Sequence, residues 1–234
     1  NKKCKLLVVF TINYQQTMNK EKSYAASHKG LRYILSKFSL LSGRTNYSNL
    51  EQVQQLKKLG EEMFFLLTHH LNTENDNLLR PLEERVPGSS KHDLEDHERL
   101  ELIQNELANQ LAALDGTQDA EAGHLFYLSF TNFHSQYLEH ILQEELVTEP
   151  LLLANFTGEE LQNNSMRIMQ KVEFPVLLLS LKYIIPAQTE DENLKILRTF
   201  RKNAPQEAYE AVLNVIRPEM TELEFNTLVA KVEP

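Results

Sequence analysis

The amino-acid sequence predicts an all-α protein whose N-terminal two thirds form an up-down-up-down four-helix bundle. Three observations favour this fold. Loop-forming residues are scarce, with 7 Gly and 8 Pro among 234 residues. Apolar residues recur every three to four positions over long stretches, which is the period of a helix with one buried face. Short runs of turn residues separate the first four stretches, and short links between helices force antiparallel neighbours.

Four long helices are predicted in the first 150 residues. The first contains the stripe Tyr24, Leu31, Leu35 and Phe38, which faces one side of a helix. The predicted ranges are 21–41, 49–79, 90–114 and 120–147. We expect Pro81 and Pro87–Ser90 to close the second helix and Pro150 to close the fourth, because proline interrupts the hydrogen bonding of a helix interior.

Additional C-terminal helices are predicted after Pro150. Three Thr-x-x-Glu sequences each fit a capping box, which satisfies free amide groups at the start of a helix. They begin at Thr157, Thr189 and Thr221. The predicted ranges are 158–184 with a break at Pro175, then 190–202, 205–217 and 222–232.

The predicted organisation is an N-terminal arm over 1–18, a bundle over 19–155 and a helical extension over 156–234. The arm contains the only strand-like signal, the β-branched Val8, Val9 and Ile12. Its short apolar run, Leu6–Phe10, lies behind lysines and resembles a signal peptide superficially, but no small-residue cleavage site follows. We therefore interpret it as an arm rather than a targeting segment.

The charge and the cysteine content narrow the function classes. A net charge of -9 without a long basic run argues against a nucleic-acid partner. No apolar run approaches the ~20 residues that span a bilayer, so no membrane insertion is expected. The single Cys4 cannot form an internal disulfide, which is compatible with a reducing, cytoplasmic location.

Each of the four predicted bundle helices carries one candidate metal-binding histidine. His28 and His97 lie near the starts of the first and third helices, and His70 and His140 lie near the ends of the second and fourth. In an antiparallel bundle all four fall in one layer near one end. No packing rule requires this coincidence, so it indicates a shared site.

Two of these histidines begin the same pattern, His-x-x-x-Glu. His70 precedes Glu74 and His140 precedes Glu144, and residues four apart share a helix face. Histidine nitrogen with carboxylate oxygen suits iron or manganese, and histidine also suits zinc. Six or seven such ligands are too many for one zinc ion, and they predict two ions with Glu74 and Glu144 as bridges.

Several further residues have open roles. Asp93 is a candidate ligand, although an acid in the first turn of a helix also stabilises that helix without a metal. Glu145 is an alternative to Glu144 as the bridging carboxylate. Tyr24 and Tyr137 lie one turn from His28 and His140 and could hydrogen-bond to the site. The other histidines are expected to lie outside it: His69, His92, His124 and His134.

In these motifs the chain resembles the hemerythrin-like family of HHE cation-binding domains. The motifs are Ser27–Arg32, His69–Glu74 followed by Leu79–Leu82, Glu95–Leu100 and Glu139–Leu146, and the resemblance covers about residues 20–155. It implies a bundle around two bridged, non-haem iron ions, with manganese or zinc as substitutes. It further implies binding of dioxygen or a related small molecule for redox sensing, oxygen sensing or iron handling.

The chain departs from the oxygen-carrying members in its third helix, where Asp93 stands in place of a first histidine. This departure argues against reversible dioxygen carriage. We expect a binding or sensing protein more than an enzyme, with oxidase-like or peroxidase-like chemistry as an intermediate alternative that needs an open coordination position. A different class is also consistent with the sequence. That alternative is a helical interaction module with a degenerate or metal-free site, which forms a homo-oligomer or binds a protein partner through its C-terminal helices.

Overall fold

The computed structural model describes residues 23–232, and all regular elements in this range are helices. The N-terminal arm predicted for 1–18 lies outside the described residues. The α-helices are α1 (Ala25–Arg44), α2 (Leu50–Glu74), α3 (Arg80–Arg85), α4 (Lys91–Ala113), α5 (Ala120–Gln143), α6 (Glu149–Asn155), α7 (Gly158–Lys171), α8 (Phe174–Ala187), α9 (Glu190–Asn203), α10 (Gln206–Ile216) and α11 (Glu222–Val232). No helix within 23–232 is both long and apolar enough to traverse a lipid bilayer.

The chain divides into two compact units. The central unit contains Leu31–Asn155, and the terminal unit joins the described residues 23–30 to those from Phe156 onward. The division falls inside α1, so the first turns of this helix belong to the terminal unit.

In the central unit, glycines mark where the long helices approach each other. A Cβ atom on Gly60 of α2 would collide with Leu111 of α4 and lie 3.0 Å from the ring of Phe38 in α1. Gly116, which precedes α5, has a φ of 84° and lies against the backbone of Leu50, where α2 begins. The end of α4 and the start of α2 therefore share one end of the unit, as antiparallel neighbours do.

That end has an aromatic core. The ring of Phe38 lies 6.3 Å from Phe64, 6.5 Å from Phe126 and 4.5 Å from Phe130, measured between centroids. These residues come from α1, α2 and α5, and all are buried. Their packing accounts for the helical stripes in the sequence, because each stripe supplies apolar side chains to a common core.

The predicted helix ends at Pro81 and Pro150 are wrong, whereas the predicted close at Pro87–Ser90 is confirmed, since α3 ends at Arg85. A π-helical turn, Asn75–Leu79, joins α2 to α3, and a second, Glu144–Thr148, joins α5 to α6. Each proline is the second residue of the following α-helix. At that position the fixed φ of proline fits the helix and its missing N–H costs no hydrogen bond within the new segment.

The terminal unit has an apolar core and the helix starts expected from its sequence. Thr157 and Thr189 form complete capping boxes with Glu160 and Glu192, and Thr221 exchanges the same two hydrogen bonds with Glu224. The break near Pro175 is confirmed, since α7 ends at Lys171 and α8 begins at Phe174. The core cluster consists of Leu181, Ile185, Leu194, Leu197, Phe200, Tyr209, Val212, Ile216, Phe225, Leu228 and Val232.

Candidate metal centre

The first half of the candidate site is a histidine–glutamate pair at the end of α2. His70 and Glu74 are four residues apart, so they face the same way, and His70 Nε2 lies 3.0 Å from Glu74 Oε1. Both residues are buried, with 9% and 2% of their surface exposed. A carboxylate at this depth is costly unless it is paired.

The second half combines the equivalent pair of α5 with a histidine of α4. His140 Nε2 lies 3.5 Å from Glu144 Oε1, and His97 Nε2 lies 3.3 Å from the same oxygen. The two Nε2 atoms of His97 and His140 are 3.0 Å apart. Three side chains from two separate parts of the sequence thus bring their ligand atoms together.

Glu74 lies between the two halves. Its Oε1 faces His70, whereas its Oε2 lies 3.7 Å from His97 Nε2. The two oxygens of one carboxylate therefore face histidines of two different helices, α2 and α4, which is the arrangement of a bridging ligand.

These contacts define two overlapping groups. One ligand atom from each of Glu74, His97, His140 and Glu144 lies within 4.8 Å of all the others, and the same holds for His70, Glu74 and Glu144. Glu74 and Glu144 belong to both groups. A buried cluster of imidazoles and carboxylates in the central unit could thus hold a metal ion.

The spacing of the donor atoms is that of direct polar contacts and is also compatible with a bound ion. Metal–nitrogen and metal–oxygen bonds are about 2.0–2.2 Å, so neighbouring ligands of a tetrahedral or octahedral ion lie roughly 3.0–3.5 Å apart. The separations among His97, His140 and Glu144 are 3.0, 3.3 and 3.5 Å. Nitrogen and oxygen donors together suit iron, manganese or zinc.

Burial lowers the pKa of His97 and of His140, whereas the neighbouring carboxylates raise it. Burial lowers the pKa of His97, but its hydrogen bond to Glu144 and the charges of Glu74, Glu144 and Asp93 raise it more, so the net shift is upward. For His140, burial and the neighbouring His97 outweigh Glu144, and the pKa is lowered. Glu144 thus favours a proton on His97, and a cation in the cluster would replace that proton.

Tyr137 of α5 places a hydroxyl beside the carboxylates. It is fully buried, its ring lies 6.0 Å from that of His140, and its hydroxyl has no hydrogen-bond partner among the described residues. Burial, and then the charges of Glu74 and Glu144, raise the pKa of this phenol well above its ordinary value. Tyr137 therefore keeps its proton at any physiological pH.

Asp93 is buried but lies outside both groups of converging ligand atoms. Its Oδ2 accepts a short hydrogen bond from the hydroxyl of Thr148, in the second π turn. Burial and the charge of Glu144 raise the pKa of Asp93 despite that hydrogen bond. Its predicted role as a ligand stays a prediction.

Of the two adjacent candidates at the start of the second π turn, the structure places Glu144 in the cluster. Glu144 is fully buried, whereas Glu145 forms an ion pair with Arg32, with Nη1 and Oε1 2.6 Å apart. Consecutive helical residues point about 100° apart, so only one of the two can face the histidines.

His28 belongs to the terminal unit and is completely buried there, with its ring stacked on that of Tyr24 at 4.9 Å. Its role as a ligand also stays a prediction. The other histidines are outside the groups of converging atoms. His92 and His124 are exposed, His69 stacks on Phe65, and His134 stacks on Phe130.

The sequence analysis did not identify two side chains that contact the site residues, Thr148 and Asn75. Thr148 holds Asp93, and Asn75 Oδ1 lies 2.7 Å from His97 Nδ1. Both lie in π turns that continue helices past the expected prolines. The sequence contains one signal for these residues, because each His-x-x-x-Glu pair is followed by a proline. Asn75 and Thr148 both lie between the glutamate and that proline.

Comparison of the chain with protein-family models, with curated proteins and with solved structures found no match. The functional argument therefore depends on the geometry of the site.

Proposed function

We propose that this chain is a non-haem di-iron protein of the hemerythrin-like kind, which binds dioxygen or a related small molecule for sensing or iron handling. The observation that carries the proposal is the sharing of Glu74 and Glu144 by two groups of ligand atoms. Two carboxylates shared by two sets of histidines can bridge two ions.

We further propose that α1, α2, α4 and α5 form an up-down-up-down bundle around this site. The support is the packing at the opposite, aromatic end, where residues of α1, α2 and α5 meet. Because α2 and α5 both carry their His-x-x-x-Glu pair at the far end, the ligands share one layer.

Each side chain then has a defined role. His97 and His140 would hold one ion and His70 would hold the other. Glu74 and Glu144 would offset part of the charge of both ions, and bound iron would supply the reversible redox chemistry that the protein itself lacks. Tyr137 retains its hydroxyl proton beside the carboxylates and can donate a hydrogen bond to a small molecule there.

The test is the metal content of purified protein together with its absorption spectrum. We expect about two iron atoms per chain after iron-replete expression, and spectra that differ between reduced protein kept without oxygen and the same protein exposed to air. The double variant His70→Ala, Glu74→Ala should lose the metal, whereas His92→Ala, at an exposed histidine, should keep it.

Less than a tenth of an equivalent of any transition metal in the wild-type protein would contradict the proposal. It would leave the helical interaction module as the better interpretation. Binding of manganese or zinc in place of iron would keep the two-ion site and overturn the dioxygen role.

A further inference from the structure

The ring of His97 is held at both of its nitrogen atoms. Nε2 faces Glu144 and His140, at 3.3 and 3.0 Å. Nδ1, on the opposite side of the ring, lies 2.7 Å from Oδ1 of Asn75. The first set of contacts belongs to the candidate metal site, and the second does not.

The contact with Asn75 selects one form of the neutral imidazole. The oxygens of Asn75 and of Glu144 can both only accept a hydrogen bond, so they compete for the one proton of the neutral ring. The contact with Asn75 is the shorter, 2.7 Å against 3.3 Å, and therefore favours the proton on Nδ1. Nε2 is then unprotonated and has its lone pair directed at the cluster. Only an unprotonated nitrogen can bind a metal ion, and the partner of the opposite nitrogen commonly decides which one it is.

The π turn fixes the backbone of Asn75. Its N–H bonds to the carbonyls of Leu71 and Asn72 at the end of α2. Its own carbonyl accepts from the N–H of Arg80, five residues later, which is the π-helical pattern. The side chain that contacts His97 thus projects from a backbone bonded on both sides.

The contact lies at the wall of a small pocket between α2 and α4. Asn75 and His97 line it together with Thr68, Leu71, Asn72, Glu98 and Glu101. Its volume is about 40 Å³, which has room for one or two water molecules. Water could therefore partly replace a truncated Asn75 side chain, whereas an apolar side chain of similar size would exclude it.

The corresponding nitrogen of His140 has no such partner. Its Nδ1 lies 3.7 Å from Asp96 Oδ2, beyond hydrogen-bond distance, and it makes no hydrogen bond to any residue of the described range. Asn75 therefore imposes on His97 a constraint that His140 lacks.

We propose that Asn75 is a positioning residue that holds His97 as its Nδ1–H tautomer and so presents an unprotonated Nε2 to a metal ion. This inference rests on the proposed function for the identity of the site. The position of the proton on the His97 ring can be measured in the metal-free protein. The tautomer and the metal binding can therefore be tested separately.

The first experiment is nitrogen-15 NMR of the histidine rings in metal-free wild-type protein at a pH where His97 is neutral. We expect the proton of His97 on Nδ1. The variant Asn75→Asp keeps an accepting oxygen and should keep this tautomer, whereas Asn75→Leu should release it. Circular dichroism of each variant checks that the helices remain.

The second experiment is titration of the same proteins with iron(II) without oxygen. Loss of a partner that orients a metal-binding histidine typically weakens binding about 10- to 100-fold. We expect a loss of that size for Asn75→Leu, a smaller loss for Asn75→Ala and near wild-type binding for Asn75→Asp. The matched control is Asn72→Leu, one turn earlier and on the same pocket, which should bind as wild type does.

Two outcomes would overturn the inference. One is a wild-type His97 with its proton on Nε2, since the Asn75 amide would then be the donor. The other is unchanged iron affinity in a folded Asn75→Leu variant. If wild-type protein binds no metal, the proposed function fails, and with it the role of Asn75 towards a metal, even where NMR finds the proton on Nδ1.

Discussion

The two units of this protein differ in the polarity of their main buried clusters. The core cluster of the terminal unit is built from aliphatic and aromatic side chains. The central unit has an aromatic core at one end and, in another part, buries Glu74, His97, His140 and Glu144 within reach of one another. Burial of apolar surface explains the terminal core by itself. Burial of two carboxylates does not by itself stabilise a fold, and the central cluster could instead hold a metal ion.

The largest expected effect is at the aromatic end of the central unit. Phe130→Ala should lower the free energy of unfolding by about 3–5 kcal/mol, because it opens a cavity beside Phe38. Chemical denaturation of metal-free protein measures this. Leu197→Ala in the terminal core should cost about 2–5 kcal/mol. Neither variant should change the number of metal ions bound, and a loss of metal would show that the two kinds of core are not independent.

The next effect separates binding from folding at the site. Without metal, the double variant His70→Leu, Glu74→Leu should be at least as stable as wild type, because replacing both partners of a buried pair by apolar side chains leaves no partner unpaired. With metal at about 100 times its Kd, wild type should gain about 2.7 kcal/mol and the variant nothing. Thermal unfolding with and without metal measures both. The exposed Glu84→Leu is the control, and a metal-free double variant that is clearly less stable than wild type would contradict this account.

A smaller effect is expected when alanine replaces a glycine, and its size should differ between the two units. Gly60→Ala places a methyl group against Leu111 and Phe38, and overpacking of this kind costs about 1–3 kcal/mol, partly offset by the better helix propensity of alanine. Gly158→Ala at the start of α7 meets no atom within 4 Å and should be neutral or stabilising by about 0.4–1 kcal/mol. Equal effects in denaturant titrations would show that Gly60 is not at a close helix contact.

The smallest effect is an acid dependence in the terminal unit. Burial raises the pKa of Glu192, but hydrogen bonds from Lys29 and from Thr189 outweigh burial and lower the pKa to about 2. A lowered pKa in the folded state stabilises the fold above the ordinary value of 4.5 and loses that stabilisation as the pH falls towards 2. Metal-free Glu192→Gln should therefore lose less stability than wild type between pH 4.5 and pH 2. At pH 7 its free energy of unfolding should be lower than that of wild type by at most about 1 kcal/mol.

A stability profile of Glu192→Gln that matches wild type from pH 7 to pH 2 would contradict this assignment. Lys29→Met should reproduce part of the variant's behaviour, because Lys29 Nζ lies 2.8 Å from both carboxylate oxygens of Glu192.

Local sequence rules predicted the terminal helices well and the ends of two central helices badly. The capping boxes at Thr157, Thr189 and Thr221 depend on bonds within four residues, so their sequence is sufficient. The expected stops at Pro81 and Pro150 were wrong because each proline follows a π turn, and a π turn has no strong local signature.

By itself, the sequence determined the helical character of the chain and the two His-x-x-x-Glu pairs, since both follow from the period of a helix. Only the tertiary structure decided which acids reach the histidines. It brought Glu144 to His97, paired Glu145 with Arg32, and gave Asp93 to Thr148. It also placed Asn75 behind His97. These contacts join residues from different helices, and their register depends on side-chain packing and on two π turns, which no spacing within one helix encodes.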